Sequence, residues 1–345
     1  MPFSSARARV GELSNKGLFS FIKWIIVMIV SFCITLKPWS RRLGAFNLLH
    51  SSIQHCLRRN KRKNKAIRCC GGLLDEAIKW CGLNDWLDKM THTSTNWFPD
   101  ELWGFIFNGL KEKASKIHNE EEAREVYESK GEAILREMNL TEQEKSYIKD
   151  FDYGKALLCW HIATEICYNV DEDENSEKRK WSKILSDYLT YLQIHEPKLT
   201  AAVAGITHER YDETCLEVKA SANKLGAENL KDFCVKALEV RDEENGEGGY
   251  NREHVEEQNH DAETGGRVLH RKSVFHDACN LARILRNHDN KWEIIVGVWA
   301  EMLSYAAGHC RGNEHARTVS MGGELLTHVW LLMAHFGITA QWPKN

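Results

Sequence analysis

The sequence predicts an all-α protein in which a single N-terminal membrane helix is followed by a helical-bundle cytosolic domain. Three observations predict this class. One apolar stretch near the N-terminus has the length of a membrane span, apolar residues later in the chain recur at helical spacing, and strand-like alternation is scarce. The 345 residues are 43% hydrophobic and 28% charged, which is ordinary for a chain that buries a core.

The predicted membrane helix is Leu18 to Leu36, within an N-terminal segment of residues 1–36. It reads LFSFIKWIIVMIVSFCITL, close to the ~20 residues that a spanning helix needs. Trp24 lies near its start and Trp39 just after its end, as aromatic residues often do at the membrane interface. Lys-Pro-Trp-Ser-Arg-Arg follows, with no small-residue cleavage site. A buried helix and an uncleaved signal segment are the alternatives.

A basic juxtamembrane segment, residues 37–70, comes next. Its cations are predicted to lie along anionic headgroups, with two alternatives: a nuclear-import or nucleic-acid patch, and a solvated face. The residues assigned to the membrane surface are Lys37, Arg41, Arg42, Arg58, Arg59, Lys61, Arg62, Lys63 and Lys65. Because basic flanks stay on the cytosolic side, the body is predicted to be cytosolic. The 11 cysteines have no regular spacing, which favours reduced thiols in the same compartment.

One feature argues for the opposite orientation. Asn139-Leu140-Thr141 is a glycosylation sequon, which is usable only in the lumen. Thr141 also stands three residues before Glu144, the spacing of a capping box at a helix start. The capping interpretation requires no particular compartment, so it is preferred.

Residues 71–150 are predicted to be a helical region. Leu73 to Cys81 has helical spacing, residues 96–100 form a break, and helices are predicted over Glu101–Ile117 and Glu120–Met138.

Residues 151–337 are predicted to be a C-terminal helical domain with an acidic mobile loop at 242–266. Asp152 to Val170 is apolar nearly all round and should be a core helix. A helix capped by Asn175 or Ser176 should then end before Pro197. Three further helices are predicted over Val274–Arg286, Trp292–His309 and Gly322–Phe336, the last too short an apolar run to span a bilayer.

Three stretches of this domain carry a family resemblance. They are the Trp-His-Ile-Ala-Thr segment at 160–164, residues 182–197, and residues 299–337. Together they resemble a plant family known as domain of unknown function 594. Residues 36–49 resemble the closing segment of the membrane domain that usually precedes it, domain of unknown function 4220. The resemblance implies an architecture and no chemistry.

Two groups of side chains are candidates for a metal or acid–base site. His161 and Glu165 are four residues apart and share a helix face, and the alternative is a buried histidine bonded to a buried carboxylate. Cys310 and His315 could hold zinc. The alternative makes Cys310 a small core residue and His315 a cap or surface group beside a turn at 311–313.

The sequence favours a membrane-anchored protein with an interaction or scaffold role, in which the acidic loop faces a partner. The expected partners are the lipid bilayer and an unknown protein, with no cofactor, nucleic acid or small-molecule substrate. Two alternatives remain: a metal-assisted hydrolase using His161, Glu165, Cys310 and His315, and a soluble nuclear or nucleic-acid-associated protein using the basic residues at 58–68.

Overall fold

Helices dominate the part of the chain that the structure describes, which confirms the all-α class. The structure is a computed structural model and describes residues 42–64, 93–172, 176–203, 207–240 and 273–339. In chain order the elements are β1 (Arg42–Phe46), α1 (Leu48–Asn64), β2 (Thr93–Trp97), α2 (Asp100–Ser115), α3 (Glu120–Glu128), α4 (Glu132–Glu137), α5 (Glu142–Lys149), α6 (Tyr153–Val170), α7 (Glu177–His195), α8 (Pro197–Thr200), α9 (Thr207–Lys224), α10 (Leu230–Glu239), α11 (Val274–Leu285), α12 (Lys291–His309), α13 (Gly312–Ser320) and α14 (Leu325–His335).

Three predicted features lie outside these residues: the membrane helix at Leu18–Leu36, the helical pattern at Leu73–Cys81 and the acidic loop at 242–266. None of the helices within the described ranges combines the length and apolar character needed to cross a bilayer.

The helices predicted with clear caps or apolar faces are confirmed. In α5 the Thr141 side chain accepts from Glu144 N while the Glu144 carboxylate accepts from Thr141 N, which completes the predicted capping box. Ser176 caps α7, and α7 ends at His195 before Pro197 opens the short helix α8. The last helix, α14, buries Leu325 and Val329 and is the expected core helix.

The single helix predicted over Glu120–Met138 is wrong, because the structure divides it into α3 and α4. Gly131 stands at the break with a φ of 140°, a conformation that glycine adopts at little cost. Beside it, the buried Ser129 hydroxyl donates to Glu301 of α12 at 2.8 Å. The helix is therefore interrupted at the point where Ser129 makes a buried polar contact with α12.

A two-stranded antiparallel sheet is present that the sequence did not predict. β1 pairs with β2 in a register that joins Arg42 to Trp97 and Phe46 to Thr93. The strands are five residues each and are separated by 46 residues of chain. Because no short turn joins them, the sequence has no hairpin signal that would predict their pairing. β1 packs on α7, where Gly44 lies against the ring of Tyr191.

The core is built around α6, whose residues from Tyr153 to Cys167 are buried with the exception of Lys155. Helices α11 and α7 pack on it, and α12 packs on both α7 and α14. Trp160 and Trp299 are the two largest fully buried side chains, and the Trp299 indole donates to Thr164 Oγ1 at 3.0 Å. One hydrophobic cluster extends from Leu43 to Ile338, so the chain on both sides of α6 contributes to it.

The contact between β1 and α7 can be tested at Gly44. A Cβ atom there would lie 2.4 Å from Tyr191 Cε1, so Gly44→Ala forces the ring or the strand to move. We expect a loss of about 1–3 kcal/mol in the free energy of unfolding, measured by urea titration with circular dichroism.

The matched control is Gly104→Ala in α2, where a Cβ atom would meet nothing within 4 Å. There the higher helix propensity of alanine should add up to about 1 kcal/mol. Equal stability of Gly44→Ala and the wild-type chain would contradict the described packing of β1.

Candidate functional site

A cluster of charged and polar side chains is buried between α6 and α7. The two helices run antiparallel and meet in regular steps: Arg179 Nη2 donates to Tyr168 O at 2.6 Å, and Ser186 Oγ lies 2.8 Å from His161 Nδ1. Between these contacts, Lys183 of α7 reaches Glu165 of α6. The polar side of α7 therefore faces the most buried helix of the protein.

Lys183 lies between two carboxylates. Its Nζ is 2.9 Å from Glu165 Oε2 and 2.6 Å from each oxygen of Asp187. Both carboxylate side chains are buried, and Asn169 Nδ2 also donates to Glu165 Oε1 at 2.9 Å. We call Lys183, Glu165, Asp187 and His161 the charged core.

The charged core is bonded to the sheet and to α1 as well as to its own helices. The side chain of Asn47, at the junction of β1 and α1, is hydrogen-bonded to Glu165, and that of Asn96 in β2 is hydrogen-bonded to Asp187. Leu48 N, at the start of α1, donates to His161 Nε2 at 3.1 Å. Four segments distant in sequence thus converge on one polar cluster.

His161 is held as a neutral imidazole. Because its Nε2 accepts from Leu48 N, its proton is on Nδ1 and is donated to Ser186 Oγ. Burial, followed by the nearby Lys183 ammonium, lowers the pKa of His161 to about 3. Protonation at Nε2 would remove the acceptor on which the first amide of α1 depends.

The two carboxylates of the charged core have different proton affinities. Burial raises the pKa of Asp187 to about 7, against the opposing attraction of Lys183. Burial also opposes ionisation of Glu165, but Lys183 and the hydrogen bond from Asn47 outweigh it and lower the pKa of that carboxyl. In turn the two carboxylates hold the pKa of Lys183 above its ordinary value. A proton on Asp187 leaves one positive and one negative charge, so the cluster becomes neutral overall.

The predicted His161–Glu165 pair is therefore only partly as expected. Both side chains are buried on one helix, but the partners of His161 are a backbone amide and a hydroxyl, and the partner of Glu165 is Lys183. Lys183, Asp187, Asn47 and Asn96 were missed. The i, i+4 spacing of Lys183 and Asp187 beside the apolar face of α7 was the available signal.

Cys310 and His315 lie at the other end of the family-like region. His315 is buried, and its Nε2 donates to Ala307 O at 3.1 Å while its Nδ1 contacts Thr327 Oγ1 at 3.0 Å. The Cys310 thiol lies 3.8 Å from Arg311 O, and burial raises the pKa of Cys310 to about 11. Thus the sulfur is a protonated thiol and both histidine nitrogens are occupied.

The expectation that His315 is a cap or surface group beside a turn is wrong. Residues 312–320 form α13, and the imidazole of His315 stacks on the ring of Trp330 in α14 at 4.5 Å between centroids. Burial lowers the pKa of His315, which keeps it neutral. The histidine therefore joins α13 to α12 and α14.

Within residues 42–64, 93–172, 176–203, 207–240 and 273–339, no group of three or more His, Cys, Asp or Glu side chains is placed to hold a metal ion. His161 and Glu165 lie in α6, and Cys310 and His315 lie at and beyond the end of α12. The two pairs have different hydrogen-bond partners.

The basic residues are divided between described and undescribed parts of the chain. Arg42 opens β1 and is exposed. The second half of α1 contains Arg58, Arg59, Lys61, Arg62 and Lys63. Lys37, Arg41 and Lys65 lie outside the described residues.

Residues 285–338 match the model of a family described as a protein of unknown function, DUF594. This match supports the family that the sequence resembles. The matched residues contain α12, α13 and α14, including the buried histidine of α13 and its partners. No curated protein and no solved structure matches the chain at a significant level.

The charged core can be tested by removing its cation. Lys183→Met leaves two carboxylates in the body without their shared partner, and we expect unfolding to become easier by about 3–5 kcal/mol. Lys180→Met, on the same helix, removes only an exposed pair with Glu177 and should change stability by less than about 1 kcal/mol. Similar values for the two variants in urea unfolding would contradict a charged core.

The proton affinity of Asp187 predicts a pH dependence. Its pKa is higher in the folded state, about 7, than in an unfolded chain, so the folded state holds a proton that the unfolded state releases. The stability due to Asp187 is complete below its unfolded pKa and is lost as the pH rises through about 7. Asp187→Asn keeps a neutral side chain, so its stability relative to wild type should rise between about pH 4 and pH 7 and level off above that.

Urea titrations at each pH would measure this difference. Asp212→Asn, at an exposed position in α9, is the matched control and should show no such trend. A difference between Asp187→Asn and wild type that stays constant across this range would mean that Asp187 is already ionised in the folded state.

Proposed function

We propose that this chain is a membrane-anchored plant protein whose helical body acts as an interaction or scaffold module on the cytosolic side of the membrane. The anchor is the apolar stretch Leu18–Leu36, and the basic residues that follow set the orientation. The resemblance of residues 36–49 to the end of a membrane domain supports the same arrangement.

The observation that carries the proposal is the firm attachment of β1 to the body. Only five residues, 37–41, separate Leu36 from Arg42, which begins β1. The strand β1 pairs with β2 and packs on α7. Six extended residue steps reach at most ~20 Å. A body attached in this way stays next to the bilayer instead of moving freely on a long linker.

The start of α1 strengthens the attachment. Leu48, Leu49 and Ile53 are buried in the body, and Leu48 N is bonded to the charged core. The basic second half of α1 thus continues from a first half that is packed in the core. Basic residues close to an anionic leaflet contribute about 1 kcal/mol each, so this half-helix favours a position near the headgroups.

The interaction role is supported by exposed apolar side chains in the family-like region. Val319 and Met321, at the end of α13, and Leu331, on α14, expose 56%, 59% and 48% of their surface. Exposed apolar side chains of this size are candidates for contact with a protein partner. These residues are where we place the unknown protein partner.

Membrane anchoring can be tested by carbonate extraction of cells that express the tagged full-length chain. We expect the wild-type chain to remain in the membrane pellet, because ~20 apolar residues hold it in the lipid. The variant Ile26→Asp, Val30→Asp should appear in the wash, and Ile26→Leu, Val30→Leu is the matched control that should stay in the pellet.

Protease added to sealed membranes from the same cells, prepared without carbonate, should digest the helical body if it is cytosolic. A second readout is the sequon at Asn139, which is exposed and should carry no glycan in that orientation. Release of the wild-type chain into the wash would reject the anchor, and a glycan on Asn139 would reject the orientation.

A further inference from the structure

An aromatic and a basic side chain are exposed side by side where the chain enters the sheet. Trp97 exposes 59% of its surface, and Arg42, directly opposite in the β1–β2 register, is also exposed. Opposite residues in antiparallel strands have Cα atoms about 5 Å apart. Within the described part of the chain, no carboxylate lies at ion-pair distance from Arg42.

The strand holds Trp97 in a fixed position. Neighbouring residues of a strand point to opposite faces, and the side chain of Asn96 is bonded to Asp187 of the charged core. Trp97 therefore points away from the body, and the next residue, Phe98, is buried again. An exposed tryptophan between two inward-facing residues is not part of a loose loop.

We propose that Arg42 and Trp97 form a membrane-contact patch that binds the headgroup layer of an anionic phospholipid bilayer. This inference rests on the proposed anchor, because it depends on the position of Leu36. The covalent limit of ~20 Å from Leu36 to Arg42 keeps the patch near the membrane surface whatever path residues 37–41 take.

The chemistry of the two side chains fits that layer. The indole of tryptophan has an apolar body and one N–H donor, which is why tryptophan accumulates at the membrane–water interface. The planar guanidinium of arginine can donate two parallel hydrogen bonds to a phosphate. A free soluble phosphate would bind Arg42 alone, whereas a lipid surface accounts for both side chains.

The patch can be tested with the full-length chain in nanodiscs of phosphatidylcholine and phosphatidylserine. Trp97 is replaced by the photo-cross-linking amino acid p-benzoylphenylalanine, and adducts with lipid are measured by mass spectrometry. The matched control carries the same amino acid at Met321, which is also 59% exposed. We expect clear lipid adducts at position 97 and background labelling at position 321.

The role of Arg42 is tested in the same system with Arg42→Gln. Loss of ~1 kcal/mol of attraction to the anionic surface should lower labelling at position 97 by up to about five-fold. Omitting phosphatidylserine should lower it similarly, whereas adding soluble inorganic phosphate should not. Labelling that is unchanged both by Arg42→Gln and by omission of phosphatidylserine overturns the anionic preference.

Carbonate extraction separates this inference from the proposed anchor. A chain that stays in the pellet but labels lipid no better at position 97 than at position 321 overturns the patch and leaves the anchor intact. A chain that is washed out overturns the anchor, and the patch with it.

Discussion

The arrangement of this protein depends on one largely enclosed ammonium group shared by two buried carboxylates. Lys183 connects α7 to α6 through Glu165, and Asp187 competes for the same cation on its own helix. Two buried carboxylates around one lysine are costly unless the remaining oxygens are hydrogen-bonded. The asparagines at 47 and 96 supply such bonds, and they belong to the segments that must be held against the helices. The same buried ion pairs therefore hold β2 and the junction of β1 and α1 against α6 and α7.

The helices of the core were predictable because their determinants are local. The all-round apolar pattern of α6, the capping box of α5 and the N-cap of α7 each depend on residues that are close together in sequence. The same local pattern failed at 120–138, where a helical charge pattern continues but Ser129 and Gly131 turn inward to meet α12. That break is decided by a residue more than 170 positions away.

The candidate site shows the same division. Sequence spacing placed His161 and Glu165 on one face of α6, and the structure confirms that both are buried there. What they bind could not be read from that spacing, because the partners come from α7, from the start of α1 and from the junction of β1 with α1. The prediction for His315 was wrong because residues 311–313 resemble a turn, whereas tertiary packing against Trp330 buries the imidazole ring. The spacing of residues in one sequence predicts which side chains share a helix face, but it does not predict which other segment packs against that face.

The pairing of β1 with β2 has a consequence for how the protein can vary. The two strands close a loop of 46 residues, from 47 to 92, and the entropic cost of closing a loop grows only with the logarithm of its length, ~0.6 kcal/mol for each doubling. The ends of this loop are fixed by the strand register, by α7 and by the buried start of α1. Insertions or deletions between α1 and β2 can therefore change the length of this loop without displacing β1. The length of the loop can vary while the position of β1 stays constant.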